Sequence, residues 1–239
     1  MARIDKLSIE LEAVELINIM RGLFNYSFRQ LSEILDVPES VLCRYANGDI
    51  LPSSETAMNI VKKLENKLEL PSIMPMLIKN KGDYIDLSNV IFNPYVLKLY
   101  EKRVQKVFGQ HNITSVVTVA TDGIPLAVVA ASALRARLTI AKQYKDAGFE
   151  DFYEASYIVD SPPRRVSIYL PRELLGKKDK VLIVDDIMRT GRTIDALLSI
   201  IDEAGADIGG FSILVARQNG VLDFIRSKVT APIDVLYLQ

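Results

Sequence analysis

The feature that most constrains the fold is the stretch 180–201, which reads KVLIVDDIMRTGRTIDALLSII. Its first part, Val181–Val184, is a continuous apolar run, which is typical of a strand buried on both faces of a parallel sheet. From about Thr193 the apolar side chains recur at helical spacing, at Ile194, Leu197, Leu198 and Ile201. A buried strand followed directly by an amphipathic helix predicts an α/β fold with a mainly parallel sheet.

The rest of the second part of the chain repeats this alternation of strand and helix. The further strand candidates are SVVTVA (115–120), YEASYIVD (153–160), RVSIYL (165–170), FSILVA (211–216) and IDVLYL (233–238), and IPLAVVAASALRAR (124–137) has the pattern of a small-residue helix. Strands that alternate with helices indicate a sheet covered by helices on both faces.

The front of the chain has a different pattern. From Ile9 to Leu68 the apolar spacing is helical throughout, and the few prolines and glycines fall between short helices. Two prolines and an NKGD turn then interrupt the chain between residues 71 and 83. We therefore predict an all-helical domain at 1–72, a linker at 73–85 and an α/β domain at 86–239.

Two acids and a short polar loop follow the Val181–Val184 run, where open α/β sheets bind ligands beyond the carboxyl ends of their strands. The N-terminus of the next helix offers backbone N–H groups to a phosphate, and the threonines at 190 and 193 add hydroxyl donors. Asp185 and Asp186 are acceptors, so they suit two ribose hydroxyls or a divalent cation. A simpler interpretation is that the acids only cap the helix. A Walker-type phosphate loop is excluded because no glycine-rich segment ends in Gly-Lys-Ser/Thr.

VLIVDDIMRTGRT resembles the ribose-5-phosphate signature of type I phosphoribosyltransferases: an apolar strand, two acids and a Thr-Gly-x-Thr loop. The resemblance implies that Asp185 and Asp186 hold the ribose 2- and 3-hydroxyls of phosphoribosyl pyrophosphate (PRPP). It implies that the loop cradles the 5-phosphate through Arg189, Thr190, Gly191, Arg192 and Thr193. No cofactor is required by the chain itself, and the protein is expected to hold no metal directly; Mg²⁺ would arrive with PRPP.

The resemblance covers about residues 86–239 and implies the other parts of a PRPP site. VTVATDGIPLAVVAA is similar to the pyrophosphate loop, and AKQYKD is similar to the basic segment that reaches the pyrophosphate. Their implied pyrophosphate-binding residues are Thr121, Asp122, Gly123, Lys142 and Lys145. ASYIVDSPPRRVSIYL is similar to the mobile lid, with Ser156, Tyr157, Arg164 and Arg165. Taken alone, DGIP would be an ordinary β-turn and AKQYKD a solvated helix face.

The chain departs from that family at Arg192, where many of the enzymes have glycine. Near the end, ARQNGVLDFIRS resembles the xanthine-type branch. Arg217 is a candidate partner for an exocyclic oxygen of a base, but no aromatic residue beside it is identifiable as a stacking partner. The resemblance therefore assigns no catalytic residue.

In the front domain, YSFRQLSEILDVPESVLCRYANGDILPS predicts two short helices joined by a tight turn. The stretch resembles the Cro/phage-repressor type of helix-turn-helix, with a recognition helix from about Pro38 to Ala46. The resemblance implies DNA contacts by Glu39, Ser40 and Arg44 on that helix and by Arg29 and Gln30 on the preceding one. The alternative is a small helical docking domain. Against DNA binding, residues 1–80 carry nine Lys and Arg against eleven Asp and Glu, a net charge of −2.

The composition indicates the cellular compartment in which the protein is expected. The formal net charge of the 239 residues is −1, and Cys43 is the single cysteine, so no intrachain disulfide forms and a reducing compartment is expected. No apolar run approaches the roughly 20 residues that cross a bilayer. We expect a cytoplasmic protein without a membrane partner.

Two functions fit these patterns. The first is a DNA-binding transcription regulator whose phosphoribosyltransferase-like domain senses PRPP or a nucleotide, and the layout resembles archaeal regulators of the glucose-and-fructose catabolism type. The second is an active purine-type phosphoribosyltransferase with a helical appendage. We favour the regulator, and we expect a homodimer that reads two half-sites of a double-stranded operator.

Overall fold

The computed structural model describes residues 3–82, 84–160, 163–217 and 220–239 and divides into two units, Met1–Ile73 and Met74–Gln239. The first unit is helical: α1 (Arg3–Phe24), α2 (Phe28–Leu35), α3 (Glu39–Ala46), α4 (Ser54–Glu65) and the start of α5 (Leu70–Leu77). The predicted linker, 73–85, overlaps the end of α5, the strand β1 (Lys79–Lys81) and the first two residues of β2 (Tyr84–Asp86). The strands β1 and β2 pair antiparallel.

Local signals set the bounds of α2. The Ser27 hydroxyl accepts a hydrogen bond from the Gln30 N–H at 3.2 Å, and the Gln30 side-chain oxygen accepts one from the Ser27 N–H at 2.9 Å. This capping box satisfies two N–H groups that the helix start leaves without a helical partner. The helix ends at Asp36, which has a φ of 57°. Three residues, 36–38, then connect α2 to α3.

The first unit has its own apolar core. Leu31 and Leu35 of α2, Leu42 of α3, and Ile60 and Leu64 of α4 are each fully buried. Val37, in the turn between α2 and α3, is also buried.

The second unit is an α/β domain. After the β1–β2 hairpin come α6 (Ser88–Ile91), α7 (Pro94–Phe108), β3 (Ser115–Val119), α8 (Ile124–Leu134), β4 (Arg137–Ala141), β5 (Phe152–Asp160), β6 (Pro163–Pro171), β7 (Lys180–Met188), α9 (Arg192–Ala204), β8 (Asp207–Ala216), α10 (Val221–Lys228) and β9 (Ile233–Leu238). The main sheet has the order β4-β3-β7-β8-β9, and all its strand pairs are parallel. The predicted mainly parallel sheet is confirmed.

The central strands are apolar because both faces of the sheet are covered. Every residue of β3 is buried, as are Val181–Val184 of β7. The polar groups inside are paired: the Tyr100 and Ser212 hydroxyls lie 2.8 Å apart, and Arg137 donates to the buried Asp179 at 2.5 Å. Burial alone would raise the pKa of Asp179, but the hydrogen bonds from Arg137, the Gly176 N–H and Thr114 outweigh it and lower the pKa.

Three features differ from the sequence expectations. β7 continues through both acids to Met188, because its ladder with β8 persists to Ala216. β5 and β6 do not join the main sheet but form a separate antiparallel hairpin, with Lys142 and Tyr169 linking that hairpin to the end of β4. The predicted helix 124–137 stops at Leu134, and Arg137 begins β4.

Candidate functional site

The acid pair Asp185–Asp186 lies inside β7 rather than after it. Both side chains are half-buried, and the Asp186 N–H donates to Asp185 Oδ1 at 3.1 Å. Burial and the neighbouring Asp186 charge raise the pKa of Asp185 well above its ordinary 3.8. Burial also raises the pKa of Asp186, and the Asp122 charge adds to that rise. Two carboxylates held together in this way gain from hydrogen-bond donors or from a cation.

The loop of Thr121, Asp122 and Gly123 packs against this pair. Its entry is fixed by the Ala120 N–H, which donates to the Ala141 carbonyl at 3.0 Å, and the Ala120–Thr121 peptide is cis. Gly123 is buried, and a Cβ built on it would lie 3.8 Å from the Asp185 Cα. The structure therefore brings the predicted pyrophosphate loop and the acid pair together.

The loop after β7 turns into α9 at Gly191. Gly191 has a φ of 75°, which glycine adopts without strain, and its carbonyl accepts from the Asp195 N–H at 2.8 Å. Arg189, Thr190 and Arg192 are exposed around this turn, and Thr193 is half-buried in the first turn of α9. The geometry offers backbone N–H groups and hydroxyls to an anion beside the acid pair.

The two predicted pyrophosphate cations have different surroundings. The Lys142 ammonium contacts both carboxylate oxygens of Asp146, at 2.9 and 2.8 Å, and this hydrogen bond raises the lysine pKa. Lys145 Nζ instead lies over the rings of Tyr169, at 5.1 Å, and Phe152, at 5.7 Å. The segment that carries these lysines is a loop and not a helix face.

The predicted lid residues lie on the β5–β6 hairpin. The Ser156 hydroxyl accepts from Arg165 at 3.1 Å and lies 3.1 Å from the Ser167 hydroxyl. Tyr157 is half-buried against the sheet core, and Arg164 is exposed. Two residues between the strands, 161 and 162, lie outside the described part of the chain.

A cavity of about 220 Å³ adjoins the acid pair, and sequence reasoning missed it. It is lined by Ile85, Asp86, Leu87, Ser88, Ile91, Phe92, Asp122, Asp186 and Ile187. The Phe92 side chain is 69% exposed, and Asp86 Oδ1 accepts from the Ser88 hydroxyl at 2.6 Å. The segment 85–92 contains no recognisable motif. The only sequence signal for this cavity is that apolar residues are interspersed there with polar ones.

In the helical unit, the five predicted DNA contacts are all exposed: Arg29, Gln30, Glu39, Ser40 and Arg44. Two of them also have partners within the unit. Gln30 supplies the oxygen of the capping box, and Arg29 lies 3.7 Å from Glu33. The capping role of Gln30 was readable from the Ser-x-x-Gln spacing but was not predicted.

No helix in the described part of the chain is both long and apolar enough to span a membrane. Within those same residues, no group of three or more His, Cys, Asp or Glu side chains is placed to hold a metal ion.

Comparison with known proteins identifies the α/β part. The model of the phosphoribosyl transferase domain family matches residues 92–228, more than half of the chain. The chain belongs to this family. The solved structure of adenine phosphoribosyltransferase from Rhodothermus marinus shares its fold, with a TM-score of 0.62 at 21% identity over 71% of this chain and 98% of that one. The enzyme from Giardia lamblia gives a TM-score of 0.63 at 22% identity, over 71% and 97%.

The curated relatives include both regulators and enzymes. The purine biosynthesis transcriptional repressor PurR of Bacillus subtilis is 33% identical over 57% of this chain and 48% of its own length. The probable PurR regulator of Streptococcus pneumoniae is 30% identical over 67% and 57%. The chain thus matches about half the length of these two relatives. Xanthine phosphoribosyltransferase of Bacillus cereus is 32% identical over 52% and 64%.

Proposed function

We propose that the protein is a DNA-binding transcription regulator whose phosphoribosyltransferase domain binds PRPP or a related nucleotide as a signal. The observation that carries the proposal is a likeness to PurR regulators in a chain that also has a separate helical unit with two short, tightly connected helices. We assign these helices, α2 and α3, as a helix-turn-helix of the Cro/phage-repressor type. The finer resemblance to archaeal regulators of the glucose-and-fructose catabolism type stays a prediction.

The proposed ligand site consists of the acid pair, the 121–123 loop and the start of α9. Asp185 and Asp186 accept hydrogen bonds from two ribose hydroxyls, and charge-assisted bonds of this kind are strong. The residues 189–193 hold the 5-phosphate through backbone N–H groups, hydroxyls and the two arginines. Mg²⁺ enters as part of the PRPP complex, and the chain itself is not expected to supply a ligand to it.

The proposed regulator acts as a homodimer on two half-sites, which lie about 34 Å apart for proteins that read one face of the duplex. Exposed Glu39, Ser40 and Arg44 of α3 read or approach base edges, and Arg29 and Gln30 of α2 contact phosphates. Because the net charge of the front domain is negative, nonspecific affinity should be modest and specific binding should depend on both half-sites.

A second function is favoured by one specific observation, the cavity that Asp186 and Phe92 help to line. In this alternative, the pocket beside the ribose site holds a base whose ring nitrogen bonds to the ribose C1 of PRPP while the bond from C1 to pyrophosphate breaks and pyrophosphate leaves. The likeness to xanthine phosphoribosyltransferases supports this alternative. The PRPP-binding parts of a sensor and of an enzyme would be nearly the same, because catalysis by positioning uses the groups that bind.

The test is calorimetric binding of PRPP with Mg²⁺, together with pyrophosphate release in the presence of adenine, guanine, hypoxanthine or xanthine. The wild type should bind PRPP and release no pyrophosphate with any base. Asp185→Asn with Asp186→Asn should lose binding, whereas the charge-matched control Asp202→Asn with Asp207→Asn, two exposed acids, should retain it. Multiple turnovers with one base would favour the enzyme, and a wild type that binds neither PRPP nor nucleotides would overturn the ligand site.

A further inference from the structure

The cation Lys142 already has an anionic partner in the protein. Its ammonium lies 2.9 Å from Oδ1 and 2.8 Å from Oδ2 of Asp146, so the carboxylate contacts it with both oxygens. Both side chains are 29% exposed, and the Lys142 ammonium is also 5.5 Å from the centre of the Tyr144 ring. A half-buried, two-oxygen contact of this kind is better defined than an ordinary surface ion pair.

The position of this pair matters because Lys142 directly follows β4 at the carboxyl edge of the sheet. The carbonyl of the preceding Ala141 accepts from the Ala120 N–H, which places Lys142 beside the start of the 121–123 loop. The backbone of Lys142 is itself fixed by two hydrogen bonds with Tyr169, at 2.9 and 2.7 Å. The Asp146 carboxylate therefore pairs with a cation that lies beside the 121–123 loop, where the pyrophosphate group is predicted to bind.

We propose that Asp146 is a specificity-determining residue that competes with the pyrophosphate group of a ligand for Lys142. This inference rests on the proposed ligand site. A ligand with a diphosphate must displace the Asp146 carboxylate before it gains the Lys142 contact, and the displaced carboxylate then repels it. A ligand with only a 5-phosphate binds at residues 189–193 and does not use Lys142. Asp146 therefore lowers affinity for PRPP relative to ribose 5-phosphate or a nucleoside monophosphate.

The neighbouring cation, Lys145, does not share the carboxylate contact of Lys142. Lys145 lies over two aromatic rings, which attract a cation without carrying an anionic charge that would repel phosphate. Of the two proposed pyrophosphate cations, Lys142 is thus the one whose availability Asp146 controls.

The experiment measures binding of PRPP with Mg²⁺, inorganic pyrophosphate and ribose 5-phosphate to four full-length proteins by calorimetry. The proteins are the wild type, Asp146→Asn, the control Asp151→Asn, and Asp146→Asn combined with Lys142→Gln. Asp151 is an exposed acid of the same segment, so its replacement measures the general effect of one lost negative charge. Thermal unfolding establishes that all four proteins are folded.

Asp146→Asn should bind PRPP and pyrophosphate about two- to fivefold more tightly than the wild type, as expected for release of one ion pair. It should bind ribose 5-phosphate unchanged, Asp151→Asn should resemble the wild type, and the gain should vanish when Lys142 is also replaced. Unchanged or weaker pyrophosphate binding by Asp146→Asn would overturn the inference, as would an equal gain for ribose 5-phosphate. A wild type that binds none of the three ligands would instead refute the proposed ligand site, and this inference with it.

Discussion

Arg192 Nη1 donates a hydrogen bond of 2.6 Å to the carbonyl oxygen of Ile158. The bond joins the first residue of α9, in the proposed phosphate loop, to β5 of the hairpin that carries the predicted lid residues. A glycine at position 192 has no side chain and could not make it.

Arg192→Gln should loosen the predicted lid hairpin, because the exposed hydrogen bond to the Ile158 carbonyl is lost. Amides of β5 around Ile158 should exchange with deuterium about two- to tenfold faster, since such a bond contributes on the order of 0.5–1.5 kcal/mol. The control is Arg164→Gln, which removes an exposed cation from the other strand of the hairpin. Equal exchange in the wild type and Arg192→Gln would show that the bond does not restrain the lid.

Gly123→Ala should destabilise the 121–123 loop. A Cβ at Gly123 would lie 2.6 Å from the Thr118 hydroxyl, and Thr118 is fully buried. Overpacking of this kind costs about 1–3 kcal/mol of unfolding free energy, measurable in urea. Gly148→Ala is the matched control, because no atom lies within 4 Å of its added Cβ. Adding Thr118→Ala should remove most of the Gly123→Ala penalty, and a persistent full penalty would place the strain elsewhere.

The acid pair should lower the free energy of unfolding at neutral pH. The pKa values of both acids are higher in the folded state than the ordinary 3.8. Between pH 3.8 and these raised values, the folded state therefore binds more protons than the unfolded state. The free energy of unfolding falls as the pH rises through this interval. Asp185→Asn with Asp186→Asn should therefore have a higher free energy of unfolding than the wild type at pH 7.5. The difference should shrink as the pH is lowered toward 3.8. A double variant that is less stable at pH 7.5 would contradict the assigned burial and repulsion.

The sequence predicted the strand, turn and helix around the acid pair, but it predicted the elements that surround them only in part. The apolar β7, the Gly191 turn and the apolar face of α9 each have a strong local pattern, and all are present. The pairing of β5 with β6 was missed because strand patterns do not reveal which strand is the neighbour.

Two other omissions have physical causes as well. β4 was not among the predicted strands, because this edge strand has only five residues and follows α8 after only two. The cavity beside Asp186 is assembled by folding from the distant segments 85–92, 122 and 186–187, and no spacing in the sequence encodes that contact.

Arg44→Ala and Ser40→Ala should weaken sequence-specific DNA binding and leave PRPP binding intact. A lost base contact of the bidentate kind costs about 1–3 kcal/mol, and both side chains are exposed on α3. The assay is a gel shift with duplexes enriched from a random pool by the wild type. Lys62→Ala, which removes an exposed cation of α4, is the control. Equal losses of DNA affinity in Lys62→Ala and Arg44→Ala would indicate that α3 has no special role in recognition.

The most direct test of the regulator is the effect of PRPP on operator affinity, followed by fluorescence anisotropy with an enriched duplex. Saturating PRPP with Mg²⁺, or a nucleotide in its place, should change the dissociation constant of the wild type by about fivefold or more, as coupled sites typically do. The Asp185→Asn, Asp186→Asn protein should bind the same duplex with an affinity that PRPP does not change. Wild-type affinity that is indifferent to PRPP and to nucleotides, alongside fast turnover with a base, would contradict the account.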